Sequence, residues 1–326
     1  MNELYPLKFK PIFKDKIWGG DKVKTLYGLN FDPLPNCGEV WSLSGYPENI
    51  SLVQNGFLAG NDLDELIEIY MGDLLGEKVF EKFGERFPLL IKIIDSNDWL
   101  SIQVHPGDEL AQKRHNGNGK TEMWYVLDAE KKAELISGFN RKVTKEEYLR
   151  HLEANTLKEI LNFEKVETGD VFFMPAGRVH ALGPGLVIAE IQQTSDLTYR
   201  IYDFGRLDDE GKPRQLHNDL ALDAIDFNLY PDYKSHYLQK QNQTVSLVKS
   251  PYFITNILDF NKPVLKDYIA LDSFVIYLCT SGSCKVISNG REENLVMGET
   301  MLIPAISGEI ELIPSPSAKL LEVYIP

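Results

Sequence analysis

Apolar and polar residues alternate singly through residues 100–105, and two further stretches, 120–125 and 169–174, read as strands that answer it. A period of two is that of a strand with one face buried. In the first stretch Ser101, Gln103 and His105 share one face, and Leu100, Ile102 and Val104 the other. Glu122 sits on the second stretch. His180 follows the turn Pro175-Ala176-Gly177 at the end of the third. Further strand-like runs occur at 38–44, 87–95, 186–204, 274–278 and 298–304, separated by Gly- and Pro-rich turns. In the 186–204 run Glu190 and Gln192 share a face, as do Thr198, Arg200 and Tyr202 further along.

Helical spacing is confined to short pieces. Leu63, Leu66, Ile67 and Tyr70, led by Asp62 and Asp64, predict a helical insertion over 61–84. Thr144-Lys145-Glu146-Glu147 has the form of a capping box and opens a helix to about residue 154. A short helix is expected near 219–225. Residues 107–119, ending in Asn116-Gly117-Asn118-Gly119, predict a flexible loop, and 230–243 a polar linker. The 87–95 run is apolar except for Lys92. That lysine is read either as snorkelling from a strand edge or as lying inside, on the face that meets a ligand.

Composition narrows the class. Forty-three per cent apolar and 25% charged residues describe a globular chain able to bury a core. A net charge of −14 argues against broad nucleic-acid or anionic-membrane binding, although a site for a small anion could still concentrate cations locally. No apolar run is long enough to cross a bilayer, and Met1-Asn2-Glu3-Leu4-Tyr5-Pro6 has no signal-peptide pattern. Cys37, Cys279 and Cys284 are odd in number and scattered, which suggests a reducing compartment. The expected location is cytoplasmic.

Two imidazoles, a carboxylate and an amide oxygen can together hold a borderline divalent ion such as zinc. Alone, Gln103-x-His105 and Glu122 carry little weight, because strand histidines are usually structural and glutamates usually solvated. The Gly169 segment, Gly-x5-Pro-x-Gly-x2-His, matches the second motif of the cupin β-barrels, whose histidine is a metal ligand. Gln103 and His105 stand where the first motif has its H-x-H, with Glu122 as its glutamate. The expected fold is therefore mainly β: two cupin-type (jelly-roll) barrels with small helical insertions near 61–84 and 144–162. Residues 1–238 would form the catalytic unit. Residues 239–326 would form a second, metal-free unit, since 298–304 repeats the Gly-x5-Pro spacing but no histidine follows His236.

Over residues 18–203 the chain resembles class I mannose-6-phosphate isomerases in their short bacterial form. The carrying motifs are Trp18-Gly19, Gly38-Glu39-x-Trp41, Phe87-Pro88-Leu89-Leu90-x-Lys92-x-x-Asp95 and Leu100-Ser101-x-Gln103-Val104-His105-Pro106. They continue with Lys120-x-Glu122-x-Trp124-Tyr125, Gly169-Asp170 through His180-Ala181, Glu190-Ile191-Gln192 and Thr198-Tyr199-Arg200-x-Tyr202-Asp203. The resemblance implies one metal per chain, normally zinc with other divalent ions possible, on Gln103, His105, Glu122 and His180. It implies that Arg200 is catalytic and that Lys120, Ser101, Lys92 and Glu190 line a sugar-phosphate pocket. The family often has a lysine where Leu220 stands, which puts phosphate contact by that segment in doubt.

The implied reaction is interconversion of mannose 6-phosphate and fructose 6-phosphate by proton transfer through an enediol. Lys120 and Glu190 compete for the acid/base role. From the residues alone, Arg200 could instead be an ion-pair partner of Asp203 or Asp196. The expected partner is a small-molecule sugar phosphate, with no nucleic acid or membrane; the oligomeric state is open. Rival readings are an isomerase for another sugar phosphate, a cupin oxygenase and a non-catalytic sugar-binding cupin. A Gln- and Glu-containing ligand set argues against the oxygenase.

Overall fold

The computed structural model describes residues 4–208 and 210–326. Met1, Asn2 and Glu3 of the segment searched for a leader, and Asp209 of the charged turn, lie outside the described residues. Antiparallel pairing gathers the strands into three sheets. A seven-stranded sheet runs Val171–Met174, Glu122–Ala129, Leu186–Gln193, Leu89–Ser96, Glu39–Tyr46 and Ile12–Lys14, with Asn49–Ile50 paired onto Glu39–Tyr46. A five-stranded sheet runs Tyr199–Tyr202, Ile102–Val104, His180–Leu182, Glu134–Phe139 and Leu161–Lys165. The eight-stranded third sheet holds the strands from Gln243–Lys249 to Glu309–Tyr324, and it also takes in Leu7–Lys8 from near the N-terminus, paired with Thr300–Ile303.

The sheets stack in layers. Ile94, Leu100, Trp124, Val126, Leu135, Leu182 and Ile188 fill the space between the seven- and five-stranded sheets. The opposite face of the seven-stranded sheet (Val40, Leu43, Leu89, Ile91, Ile93, Met123, Ile191) packs on Ile257, Ile276, Leu278, Leu321 and Val323 of the third. The middle sheet is thus covered on both sides. Every residue of Leu89–Ser96 and Leu186–Gln193 is buried as a result, which is why these strands read as near-continuous apolar runs rather than alternations. The mainly β expectation holds. Where barrels were expected, no ladder among the described residues closes into a ring; two sheets face each other across a shared core instead.

The 61–84 insertion is two helices, Leu63–Leu75 and Glu77–Phe83, the first opened by a complete capping box between Asp62 and Glu65. Thr144 caps Lys145–Glu153 by accepting from the Glu147 N–H at 3.2 Å, but the Glu147 carboxylate turns to Arg141 at 2.7 Å rather than closing the box. One expectation fails: residues 107–119 contain the helix Asp108–His115. Its only fully buried side chain is Ala111, so it has no apolar stripe to betray it.

Candidate metal centre and active site

Strand register brings the chemistry together. Across the seven-stranded sheet Trp124 pairs with Glu190, Glu190 with Lys92 and Lys92 with Trp41, so these side chains stand in one row on the inner face. Glu122 begins the neighbouring row beside Gln192. On the facing sheet Gln103 is paired with both His180 and Arg200. A cavity of about 280 Å³ lies between, lined by Ser101, Gln103, Lys92, Lys120, His180, Glu190 and Arg200 among others. Lys92 is 2% exposed on a central strand, which answers the choice between edge and interior.

At the inner end, His105, Glu122 and His180 offer ligand atoms all within 4.8 Å of one another. Glu122 Oε1 lies 3.3 Å from His180 Nε2, and Oε2 lies 3.5 Å from His105 Nε2 and 3.2 Å from Lys120 Nζ. Each imidazole donates its Nδ1–H to a backbone carbonyl, His105 to Leu197 at 2.8 Å and His180 to Arg178 at 2.9 Å. That fixes the tautomer in which both Nε2 lone pairs face Glu122. His105 Nε2 and both Glu122 oxygens are buried without hydrogen-bond partners. Apart from the Lys120 ammonium beside Oε2, nothing completes these buried acceptors, and burying them so is costly unless a cation does. This N₂O donor set fits a divalent metal. Gln103 flanks it, its Nε2 3.3 Å from His180 Nε2 and its Oε1 accepting from Ser101 Oγ at 3.2 Å.

Electrostatics agree. Burial, then the Lys120 charge, holds His105 well below its usual pKa, and burial brings His180 down to about 4, so both rings are neutral, as ligands must be. Burial and the Glu190 charge push Glu122 upward, the mark of a carboxylate short of positive charge. Lys120 is raised: burial opposes its charge, but Glu122, Glu190, Asp196 and Glu39 outweigh burial. Glu190 is lowered, burial being outweighed by Lys120 and Lys92; its Oε2 accepts from Trp124 Nε1 at 2.9 Å and its Oε1 lies 3.4 Å from Lys92 Nζ.

Arg200 and Arg214 add two guanidinium groups to the cavity wall. Arg200 has no ion-pair partner among the described residues; its guanidinium donates to the Gln215 carbonyl at 2.8 Å, and its Nε is buried and unpartnered. Asp203, the carboxylate considered for it, is taken by Arg206 and Arg214. His217 anchors the Arg200 backbone on both sides: its Nδ1 accepts the Arg200 N–H at 3.1 Å and its own N–H donates to the Arg200 carbonyl at 2.7 Å. Leu220 packs against the apolar cluster behind the five-stranded sheet and does not line the cavity.

Sequence reasoning missed three wall residues. Glu39 accepts from Trp41 Nε1 at 2.7 Å and sits 3.8 Å from Lys92 and 3.6 Å from Lys16. Arg214 also reaches the cavity, as does Lys16. The Gly38-Glu39-x-Trp41 motif was the signal for the first. Arg214, beyond a charged turn, left none.

Together these features define an antiparallel β protein with a buried His-Glu-His group that could hold a metal ion, beside a cavity lined by lysine, arginine and glutamate side chains. Residues 6–144 match the family described as phosphomannose isomerase type I, catalytic domain. The chain is 38% identical to the Bacillus subtilis mannose-6-phosphate isomerase ManA, with 94% of this chain and 95% of that one covered. It is 35% identical to the Streptococcus mutans mannose-6-phosphate isomerase, with 96% and 98% covered. A crystal structure of the mannose 6-phosphate isomerase from Bacillus subtilis superposes with a TM-score of 0.89 at 31% identity, covering 98% of this chain and 99% of that one. The chain belongs to the type I mannose-6-phosphate isomerase family.

Proposed function

We propose that this protein interconverts mannose 6-phosphate and fructose 6-phosphate by moving a proton between C2 and C1 through an enediol. The observation that carries the reading is the convergence of buried His105, Glu122 and His180 beside a cavity that His180 and Arg200 both line. Its relatives' names supply the substrate. The metal is zinc, held by His105, Glu122, His180 and Gln103; the N₂O set with an amide oxygen suits it better than softer ions. Gln103 would present its Oε1 with the carboxamide turned over, Ser101 Oγ then accepting from Nε2. A bound ion would orient the C1 and C2 oxygens and offset the negative charge that develops as the carbon-bound proton leaves.

This chain's own residues do the rest. Glu190 is the base: it is ionised, and its Oε1 is buried without a hydrogen-bond partner. Lys120, kept charged by its carboxylate neighbours, holds the sugar oxygens, gives its proton to O1 as charge develops there and takes one back from the O2 hydroxyl, ending protonated as it began. Arg200 cannot give up its proton, so its work is electrostatic, on the enediolate and the phosphate. Arg214, fixed by Asp203, shares the phosphate with it and does what Leu220 cannot. Lys92 and Ser101 complete the wall. We place the catalytic unit, cupin-like in its facing sheets, in residues 1–238, the metal-free unit in 239–326 and the protein in the cytoplasm.

The test is an assay of mannose 6-phosphate and glucose 6-phosphate in D₂O, before and after chelation. Deuterium is expected at C2 of the mannose ester alone, with turnover lost on chelation. Full activity in metal-stripped protein, or exchange only with another sugar phosphate, would end the reading. Arg200→Ala should keep metal and lose about 10²-fold or more in kcat.

A further inference from the structure

Arg178 is 6% exposed, yet it has no carboxylate ion-pair partner among the described residues and does not line the catalytic cavity. Buried guanidinium groups are normally paired. This one lies against two adjoining, mutually tilted rings whose centroids are 6.0 Å apart, 4.4 Å from that of Tyr230 and 4.6 Å from that of Tyr233, and donates to Ser137 Oγ at 3.4 Å. Ser137 is the cross-strand partner of His180, and the Arg178 carbonyl is the acceptor of the His180 Nδ1–H.

We propose that Arg178, clamped by Tyr230 and Tyr233, is a positioning residue that sets the orientation and tautomer of the metal ligand His180. The two rings and Ser137 Oγ hold the buried guanidinium, and with it the backbone whose carbonyl accepts from the imidazole. The clamp is itself fixed. Tyr233 OH donates to the Phe139 carbonyl at 2.9 Å and accepts the Phe139 N–H at 3.2 Å. Tyr230 OH donates to Asp226 at 2.6 Å, and the Asp226 N–H donates to the Gly177 carbonyl at 2.8 Å. Gly177 has φ +90°, and a Cβ there would meet the Ala224 carbonyl at 2.9 Å, so the turn and the returning chain are in backbone contact. The connection after residue 225 is therefore part of the metal centre's support and not only a tether.

The inference rests on the metal-centre reading but not on the identity of the sugar. It is tested by zinc affinity, measured on the full-length protein by competition with a chelating dye. Arg178→Ala is expected to weaken zinc about 10-fold or more, in the range found when a ligand's outer support is removed. Arg178→Lys, which keeps a cation over the rings, should recover most of that, and Tyr230→Ala should give an intermediate loss. Leu320→Ala, a core truncation in the third sheet, should lower the Tm and leave zinc affinity unchanged. Wild-type zinc affinity in a natively folded Arg178→Ala protein would overturn the proposal, as would equal loosening by Leu320→Ala. Should Arg178→Ala not fold, wild-type affinity in Tyr230→Ala overturns it. His180→Ala separates the two readings: undiminished zinc binding there would sink the metal centre itself.

Discussion

Lys92 is the residue on which the charge balance of the cavity turns. It bridges Glu190 and Glu39 and lies 5.1 Å from the centre of the Trp41 ring. Burial raises the Glu39 pKa, but Lys92, Lys16 and the Trp41 N–H reverse that and pull it down to about 2. A carboxylate with a depressed folded pKa stabilises the fold above its unfolded pKa, and that contribution disappears as pH falls through the folded value. Lys92→Met should therefore cost about 3–5 kcal/mol near neutral pH, as expected for breaking a buried pair. The deficit should narrow as pH falls from 4.5, the ordinary value, toward 2. Denaturant midpoints for both proteins at pH 7 and pH 3 measure it; a gap independent of pH would refute the pairing. The sequence could not decide this residue's fate. Whether a lysine in an apolar strand snorkels or is swallowed depends on what covers its own face, and that cover is the five-stranded sheet, assembled from separate segments between residues 102 and 202. The positions proposed as ligands were legible for the opposite reason: Gln103 and His105 at i and i+2, and His180 after a Pro-x-Gly turn, are local patterns.

Among the elements, legibility followed the amount of apolar surface each one buries. Leu63–Leu75 buries Leu63, Leu66, Ile67, Leu74 and Leu75 and was readable from its spacing. Asp108–His115 buries little, although Asp108 and Glu109 in its first turn and Lys113, Arg114 and His115 in its last are a dipole signature that composition alone could have revealed. The break inside the first helix was not readable. Met71 has φ +44° and ψ −121°, the opening position of a type II′ turn, which glycine prefers. Its side chain is 50% exposed, so little packing is lost on removing it. Met71→Gly should stabilise the protein by about 1 kcal/mol, the relieved strain exceeding the entropy glycine loses. A rise of about 2–4 °C in Tm is the expected reading. An unchanged or lower Tm would mean that the methionine's contacts outweigh the strain.

The Gly-x5-Pro repeat has a structural counterpart at the scale of the whole molecule. Gly169 and Gly298 take up φ +95° and +88°, and each leads into a four-residue strand ending before proline. After Pro175 the chain turns to deliver His180; after Pro304 it makes a 3₁₀ turn and delivers nothing to a metal. The second copy contributes its back. Its sheet shares one core with the seven-stranded sheet and borrows Leu7–Lys8, so a division near residue 238 separates chemistry but not stability. Phe274, buried in that shared core, packs against Phe87 with ring centroids 4.8 Å apart and planes tilted by 34°. Phe274→Ala should cost about 3–5 kcal/mol. All four tryptophans, Trp18, Trp41, Trp99 and Trp124, lie in the first half, so their fluorescence reports on that half alone. If the layers unfold as one, the substitution shifts the tryptophan transition and the far-ultraviolet circular dichroism transition together. A tryptophan transition left where it was, with only the dichroism displaced, would mean that the back sheet melts on its own and the metal centre does not depend on it.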